Sequence, residues 1–233
     1  MKLAVMQPYI FPYIGYFQLI NAVDEFVIYD NIEFTKKGWI NRNRILVNGR
    51  DAYITLPLKK DSDYLDVRER SLAEVWVTER SKLLNRITES YRKSPHFDVV
   101  YPVIEKSLLF DDFNLFNFIF NSIKLVTEYL GIQTMFVISS SIVMDHSLKA
   151  ETKVITICKS REAHTYVNPI GGALLYSKEN FKQEGIDLLF HKSKDIVYKQ
   201  FNNEFVPWLS IIDVMMFNSR DEISELLNFT SFQ

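Results

Sequence analysis

Lys2-Leu3-Ala4-Val5-Met6-Gln7-Pro8-Tyr9-Ile10-Phe11-Pro12, continuing through Gly15–Ala22 to Glu25-Phe26-Val27-Ile28-Tyr29-Asp30, is the stretch whose reading decides the fold. Lys2–Met6 is a short apolar run of the kind that forms a buried strand. Pro8 and Pro12 exclude helix until about Tyr13. Gly15–Ala22 then suits a short helix, and Glu25–Tyr29 a second strand ending at Asp30. Strand, loop, helix, strand is the opening of a parallel α/β sheet. Such sheets bind ligands outside the carboxyl ends of their strands, so Gln7–Pro12 and Asp30 are expected to face one crevice.

Outward from this opening, Arg44–Val47 and Ala52–Leu56 flank Asn48-Gly49, a strong β-hairpin signal. Leu72–Val77 reads as a further strand and Thr78–Arg92 as a helix stopped by Ser94-Pro95. The clearest helix is Phe113–Leu130, where Phe116, Ile119, Phe120, Ile123 and Val126 form one apolar stripe. Strands at Thr134–Ile138, His164–Val167 and Ile186–Phe190 then alternate with helices at Thr152–Ser160 and Ser177–Glu184. Ser210–Phe217 closes as an apolar helix. The expected fold is α/β: a mostly parallel sheet flanked by helices, with an attached antiparallel hairpin. One domain over residues 1–233 is expected, with residues 78–130 as a helical segment.

Bulk properties exclude some function classes. A hydrophobic fraction of 47% with 24% charged residues fits a globular chain rather than a disordered one. A formal charge of -2 gives no pull toward nucleic acid or an anionic membrane, and no nucleic-acid partner is expected. The apolar stretch Tyr9–Ile28 is broken by Pro12, Gly15, Asn21, Asp24 and Glu25, so no direct membrane insertion is expected. Gln7 and Pro8 interrupt the run after Met6 and argue against a secretory signal. The single cysteine, Cys158, forms no intramolecular disulfide and fits a reducing, cytoplasmic location.

Three segments have residues suited to chemistry. In the first, Gln7 to Phe17, Tyr9 can stack on a base or sugar while Gln7 hydrogen-bonds it; alternatively the rings plug the core. In the second, Asp30 to Arg44, Lys36, Lys37, Arg42 and Arg44 can hold a diphosphate, with Trp39 stacking and Asn41 orienting polar groups. A solvated basic turn is the competing reading. In the third, Asn168-Pro169-Ile170-Gly171-Gly172, a glycine-rich turn after a strand can present backbone N–H groups to an anion, or simply turn. It matches neither the dinucleotide fingerprint nor the phosphate loop. His96, His146, His164 and His191 lack metal-ligand spacing, so no metal and no cofactor are expected. Asp30 or His96 is the expected acceptor of a proton in catalysis, with a surface or packing role favoured over acid–base work for His96.

Together these segments resemble the WbqC-like protein family. The resemblance is carried by Met6–Phe17, Asp24 and Asp30, Lys37–Arg44, Thr55-Leu56-Pro57, Tyr91–Pro95, Asn168–Tyr176 and Phe205–Asp213. It implies an association with bacterial O-antigen and surface-polysaccharide gene clusters. The activity it suggests is transfer of glycine, or a related acyl group, from an activated donor to a nucleotide-linked amino sugar. A glycosyl- or nucleotidyltransferase, or a sugar-binding scaffold protein without enzyme activity, are the alternatives.

Overall fold

The computed structural model describes residues 1–233. Strand β1 (Lys2–Met6) leads through the proline loop into helix α1 (Ile14–Asn21) and strand β2 (Glu25–Ile28). Every residue of β2 is buried, and β1 sends Leu3 and Val5 to one core and Ala4 to the other. A strand covered on both faces must be apolar throughout, which is why neither shows polar alternation. Glu25 is the exception, and its buried carboxylate takes two hydrogen bonds from Arg161 (2.7 and 2.8 Å).

The hairpin follows as β3 (Arg42–Val47) and β4 (Arg50–Thr55), with Val47 opposite Arg50. Asn48 and Gly49 both have positive φ (51° and 74°), the backbone that a tight two-residue hairpin turn requires. Leu72 makes only an isolated bridge to Leu58, and the expected strand at Leu72–Val77 is replaced by the start of helix α2 (Trp76–Tyr91). Helix α3 (Phe97–Leu108), with Pro102 inside it, then precedes α4 (Leu115–Leu130). The Asn114 side chain caps α4 by accepting from the Asn117 N–H.

Strand β5 (Met135–Ile138), helix α5 (Ala150–Ser160), strand β6 (Thr165–Pro169), helix α6 (Lys178–Gln183) and strand β7 (Asp187–Ser193) give the anticipated alternation. Helices α7 (Ile211–Phe217) and α8 (Arg220–Leu227) and the short strand β8 (Thr230–Phe232) end the chain. The sheet order is β5-β2-β1-β6-β7-β8, parallel except for β8, and the hairpin forms a separate sheet. The mostly parallel α/β fold with an antiparallel hairpin is thus observed. Residues of α5 and α6 pack on one face, and those of α1, α2, α3, α4, α7 and α8 build the larger core on the other. No helix is long and apolar enough to cross a membrane.

This order contains a switch point. From β1 the chain moves outward through β2 to β5, then crosses to β6 on the other side of β1. Connections leave in opposite directions there, opening a crevice at the carboxyl ends of β1 and β6. The loops around that edge carry the polar and aromatic residues considered next.

Candidate functional site

The segment Asn41-Arg42-Asn43-Arg44 enters β3, and strand periodicity separates its side chains. Asn43 is buried, whereas Arg42 and Arg44 lie half-buried on the other face. Asn43 Nδ2 donates to the carbonyls of Ile10 (3.1 Å) and Phe11 (2.9 Å), and its Oδ1 accepts from the Arg44 N–H (2.8 Å). Ser210 adds a third loop: its N–H donates to the Arg44 carbonyl (2.8 Å) and its hydroxyl to the Phe11 carbonyl (2.7 Å). The proline loop, the hairpin and residues 208–211 are therefore one hydrogen-bonded junction. Asn43→Ala leaves two buried carbonyls and one N–H without these partners. It should lower stability by about 2 kcal/mol, read from the midpoint of urea unfolding.

On this junction sits an aromatic cleft of about 290 Å³ lined by Tyr9, Pro12, Tyr13, Trp39, Asn43, Arg44 and Trp208. Trp39 is 41% exposed and Trp208 56%. Trp39 stacks on Tyr53 (6.3 Å between centroids), and the Arg44 guanidinium lies 5.7 Å from the Trp39 ring centre. Tyr13 and Trp208 pack at 6.0 Å and also line an adjoining apolar groove of about 280 Å³ with Ile196, Tyr198 and Phe205. Phe11, Lys37 and Trp208 have positive φ (39°, 60° and 61°), a backbone region that costs residues other than glycine roughly 1–3 kcal/mol each. Strained backbone beneath two exposed tryptophans is poor design for packing alone. Gly15 is also explained locally, because a Cβ there would meet the Tyr13 ring at 2.4 Å.

A second, polar cleft of about 590 Å³ lies at the end of β2 and the start of α5. Its lining includes Tyr29, Asn31, Asp66, Arg68, His146 and Lys153. Asp30 is buried beside this cleft without lining it: Oδ1 accepts from the Ser139 hydroxyl (2.7 Å) and the Ser140 N–H (2.9 Å), and Oδ2 from the Ser140 hydroxyl (2.6 Å). Asn31 Oδ1 lies 2.6 Å from the Ser139 hydroxyl, and its Nδ2 is 3.0 Å from His146 Nδ1. His146 Nε2 lies 2.9 Å from the Ile142 carbonyl, which suits an Nε2–H donor and an Nδ1 acceptor. Burial pushes the Lys153 ammonium below the ordinary lysine range, opposed by the nearby Asp66 and Asp30 carboxylates. Burial pushes the Asp66 carboxyl upward, with neighbouring Glu69 adding to the effect.

Gln7 lines neither cleft; its side chain is held by Tyr9 and its carbonyl by the Tyr16 hydroxyl (2.9 Å). The Tyr29 N–H donates to the carbonyl of Met6, and the Tyr9 hydroxyl donates to Gln7 Oε1 (3.2 Å). Tyr9, Trp39 and Arg44 are brought together in the aromatic cleft. Other expected site residues have local partners. Arg42 donates to the carbonyls of Gly38 (3.0 Å) and Lys37, and so holds the Lys36–Trp39 loop in place. Lys36 pairs with Asp63 (2.7 Å) in solvent, Lys37 is exposed, and Asn41 Nδ2 donates to the Leu56 carbonyl (2.8 Å). Asn168 accepts from the Tyr166 hydroxyl and donates to the Pro169 carbonyl.

The turn after β6 is a 3-10 helix over Ile170–Leu175 rather than the start of an α-helix. A Cβ at Gly172 would meet Asn168 Nδ2 at 2.4 Å, whereas Gly171 faces open space. His96 lies at the start of α3, its N–H donating to the Met216 carbonyl (3.3 Å), so it is not gathered with Asp30. Asn43, Trp208, Asp66 and Lys153 are the additions that the structure makes. Lys153 had one sequence signal: it lies four residues before the buried Ile157, a charge on the apolar stripe of α5. No cluster of three or more His, Cys, Asp or Glu side chains is placed to hold a metal ion.

The chain is 29% identical to the uncharacterized protein Rv1507c of Mycobacterium tuberculosis (strain ATCC 25618 / H37Rv), covering 98% of each. No solved structure matches it. The model of the WbqC-like protein family matches residues 7–225, from Gln7 at the switch point into α8, and the chain belongs to that family.

Proposed function

We propose that the chain is an acyl- or aminoacyltransferase acting on a nucleotide-linked amino sugar in the assembly of bacterial surface polysaccharide such as O-antigen. The observation that carries this reading is the aromatic cleft of Tyr9, Tyr13, Trp39 and Trp208, built on the proline loop that leaves β1 at the switch point. Flat rings at a sheet's carboxyl edge suit a base or sugar face, and charged groups beyond them suit a reacting polar end. In the reaction, the amine nitrogen attacks the acyl carbonyl carbon. The new C–N bond replaces the bond to the donor's leaving group, and the amine loses one proton. Asp66, with its carboxyl pushed upward by burial, is the cleft carboxylate suited to accept that proton. Asp30 already accepts three hydrogen bonds, and His96 lies against α7.

The test is a thermal-shift titration with nucleoside-diphosphate-linked amino sugars, followed by mass spectrometry of the sugar after incubation with acyl donors. Saturating ligand at about 100 times its Kd should stabilise the fold by roughly 2.7 kcal/mol. Trp39→Ala should weaken binding about tenfold or more, since stacking on an aromatic ring contributes about 1–3 kcal/mol. The product should gain the mass of the acyl group. No stabilisation by any nucleotide-linked sugar, or transfer of the sugar instead of an acyl group, would overturn the reading.

A further inference from the structure

We propose that the polar cleft at the start of α5 binds a phosphoryl group, held by the Lys153 ammonium and the first backbone N–H groups of that helix. Helix α5 runs eleven residues, and its N-cap, Lys149, provides no side-chain cap. The N–H groups of Ala150, Glu151 and Thr152 have no acceptor in the protein. Glu151, the acidic residue of the first turn, is turned away: its carboxylate accepts from the Ser177 N–H and the Asn180 side chain. The positive end of the helix is thus left open toward the cleft. Ala150 enters the helix with φ 48°, a further strained position beside it.

Lys153 is the second and independent observation. Its side chain is only 5% exposed, yet it lines the cleft. Its ammonium makes one long contact, 3.5 Å to the Asn31 carbonyl, and lies 4.9 Å from the Tyr29 ring centre. No carboxylate stands within ion-pair distance of it. A buried cation with no carboxylate in ion-pair contact is costly, and an incoming oxyanion in direct contact relieves that cost.

Arg68 and Lys149 add positive charge to the lining, while Glu33 and Asp66 add negative charge; Arg68 lies 3.7 Å from Asp66 and offsets it. A tetrahedral phosphoryl group can present separate oxygens to the helix N–H groups and to the lysine together, which a planar carboxylate does less well. The volume of about 590 Å³ leaves room for the remainder of a phosphate ester.

A phosphoryl site here requires neither a nucleotide nor an acyl transfer, and inorganic pyrophosphate is a sufficient probe. It is titrated into the full-length protein, with backbone amide shifts followed by NMR and heats by calorimetry. The expected result is saturable binding at millimolar concentration or tighter, with the largest amide shifts at Ala150, Glu151 and Thr152. Lys153→Met should weaken it at least tenfold. Absent binding, shifts centred elsewhere, or Lys153→Met binding like the wild type would overturn the proposal. If Lys153→Met does not fold, the wild-type shifts decide. Trp39-dependent binding of a sugar nucleotide without any pyrophosphate response at α5 would remove the phosphoryl site and leave the transferase reading standing. The reverse pattern would remove the transferase reading alone.

Discussion

Asp213→Ala is expected to destabilise the protein by about 3–5 kcal/mol, a large fraction of the stability of an ordinary domain. Asp213 is fully buried in α7 and accepts from the Tyr91 hydroxyl (2.8 Å), the Tyr198 hydroxyl (2.7 Å) and Gln200 Nε2 (2.6 Å). Tyr91 in turn accepts from the Leu46 N–H (2.8 Å). One carboxylate therefore ties the end of α2, strand β3, helix α7 and the segment before the Trp208 loop. Each buried donor left without an acceptor costs about 1–3 kcal/mol. Part of this loss is offset, because burial pushes the Asp213 carboxyl upward and its removal relieves that desolvation.

The sign of the pH effect follows. A carboxyl raised in the folded state favours the folded, protonated form as pH falls through its folded value, so Asp213 opposes acid unfolding. Asp213→Asn keeps the volume and one acceptor and should lose less than Asp213→Ala. Urea unfolding at neutral pH measures both variants. A loss below about 1 kcal/mol in Asp213→Ala would refute the tie.

His191 should make the protein acid-sensitive. It is buried in β7 against the Phe232 ring (5.8 Å between centroids), and its Nε2 has no hydrogen-bond partner. Burial pushes its pKa down from 6.5 to about 4. Between those values the unfolded chain binds a proton that the folded chain refuses, so stability falls as pH drops from about 6.5 toward 4. The whole loss approaches about 3 kcal/mol, from roughly 1.4 kcal/mol per unit. Urea midpoints measured across this range should fall for the wild type and fall less for His191→Gln. An equal slope in both would show that other groups control the acid limb. Because His191 pairs with Phe232 across β7 and β8, the edge strand should loosen first, visible as faster amide exchange at Ser231.

Much of the fold was legible because its signals are local. Period and flanking residues mark β1, β2, α4 and the Asn48-Gly49 hairpin, and these need only their own few residues. Where a local signal was mixed, reading erred. Leu72–Val77 is apolar enough for a strand, but Trp76 already lies in α2 and only Leu72 finds a bridge partner. Helix α3 falls inside the expected helical segment and accommodates Pro102, which removes one backbone hydrogen bond. The basic segment stays open between a ligand grip and a solvated turn in the sequence, because sequence shows charges without their partners. In the folded chain, Arg42 is engaged by two carbonyls of its own loop, and Arg44 by Asp51 and the Trp208 carbonyl.

By itself the sequence determined a parallel α/β architecture, its hairpin and its resemblance to one family, since apolar periodicity and turn chemistry act over short stretches. Tertiary structure alone decided that β6 crosses to the far side of β1, that Ser210 and Asn43 clasp the proline loop, and that Lys153 is buried with only a long contact to the Asn31 carbonyl. The physical reason is that a polar side chain's role depends on which distant groups reach it. Those partners, as with Phe11 and Ser210 at 199 residues apart, meet only when the core closes.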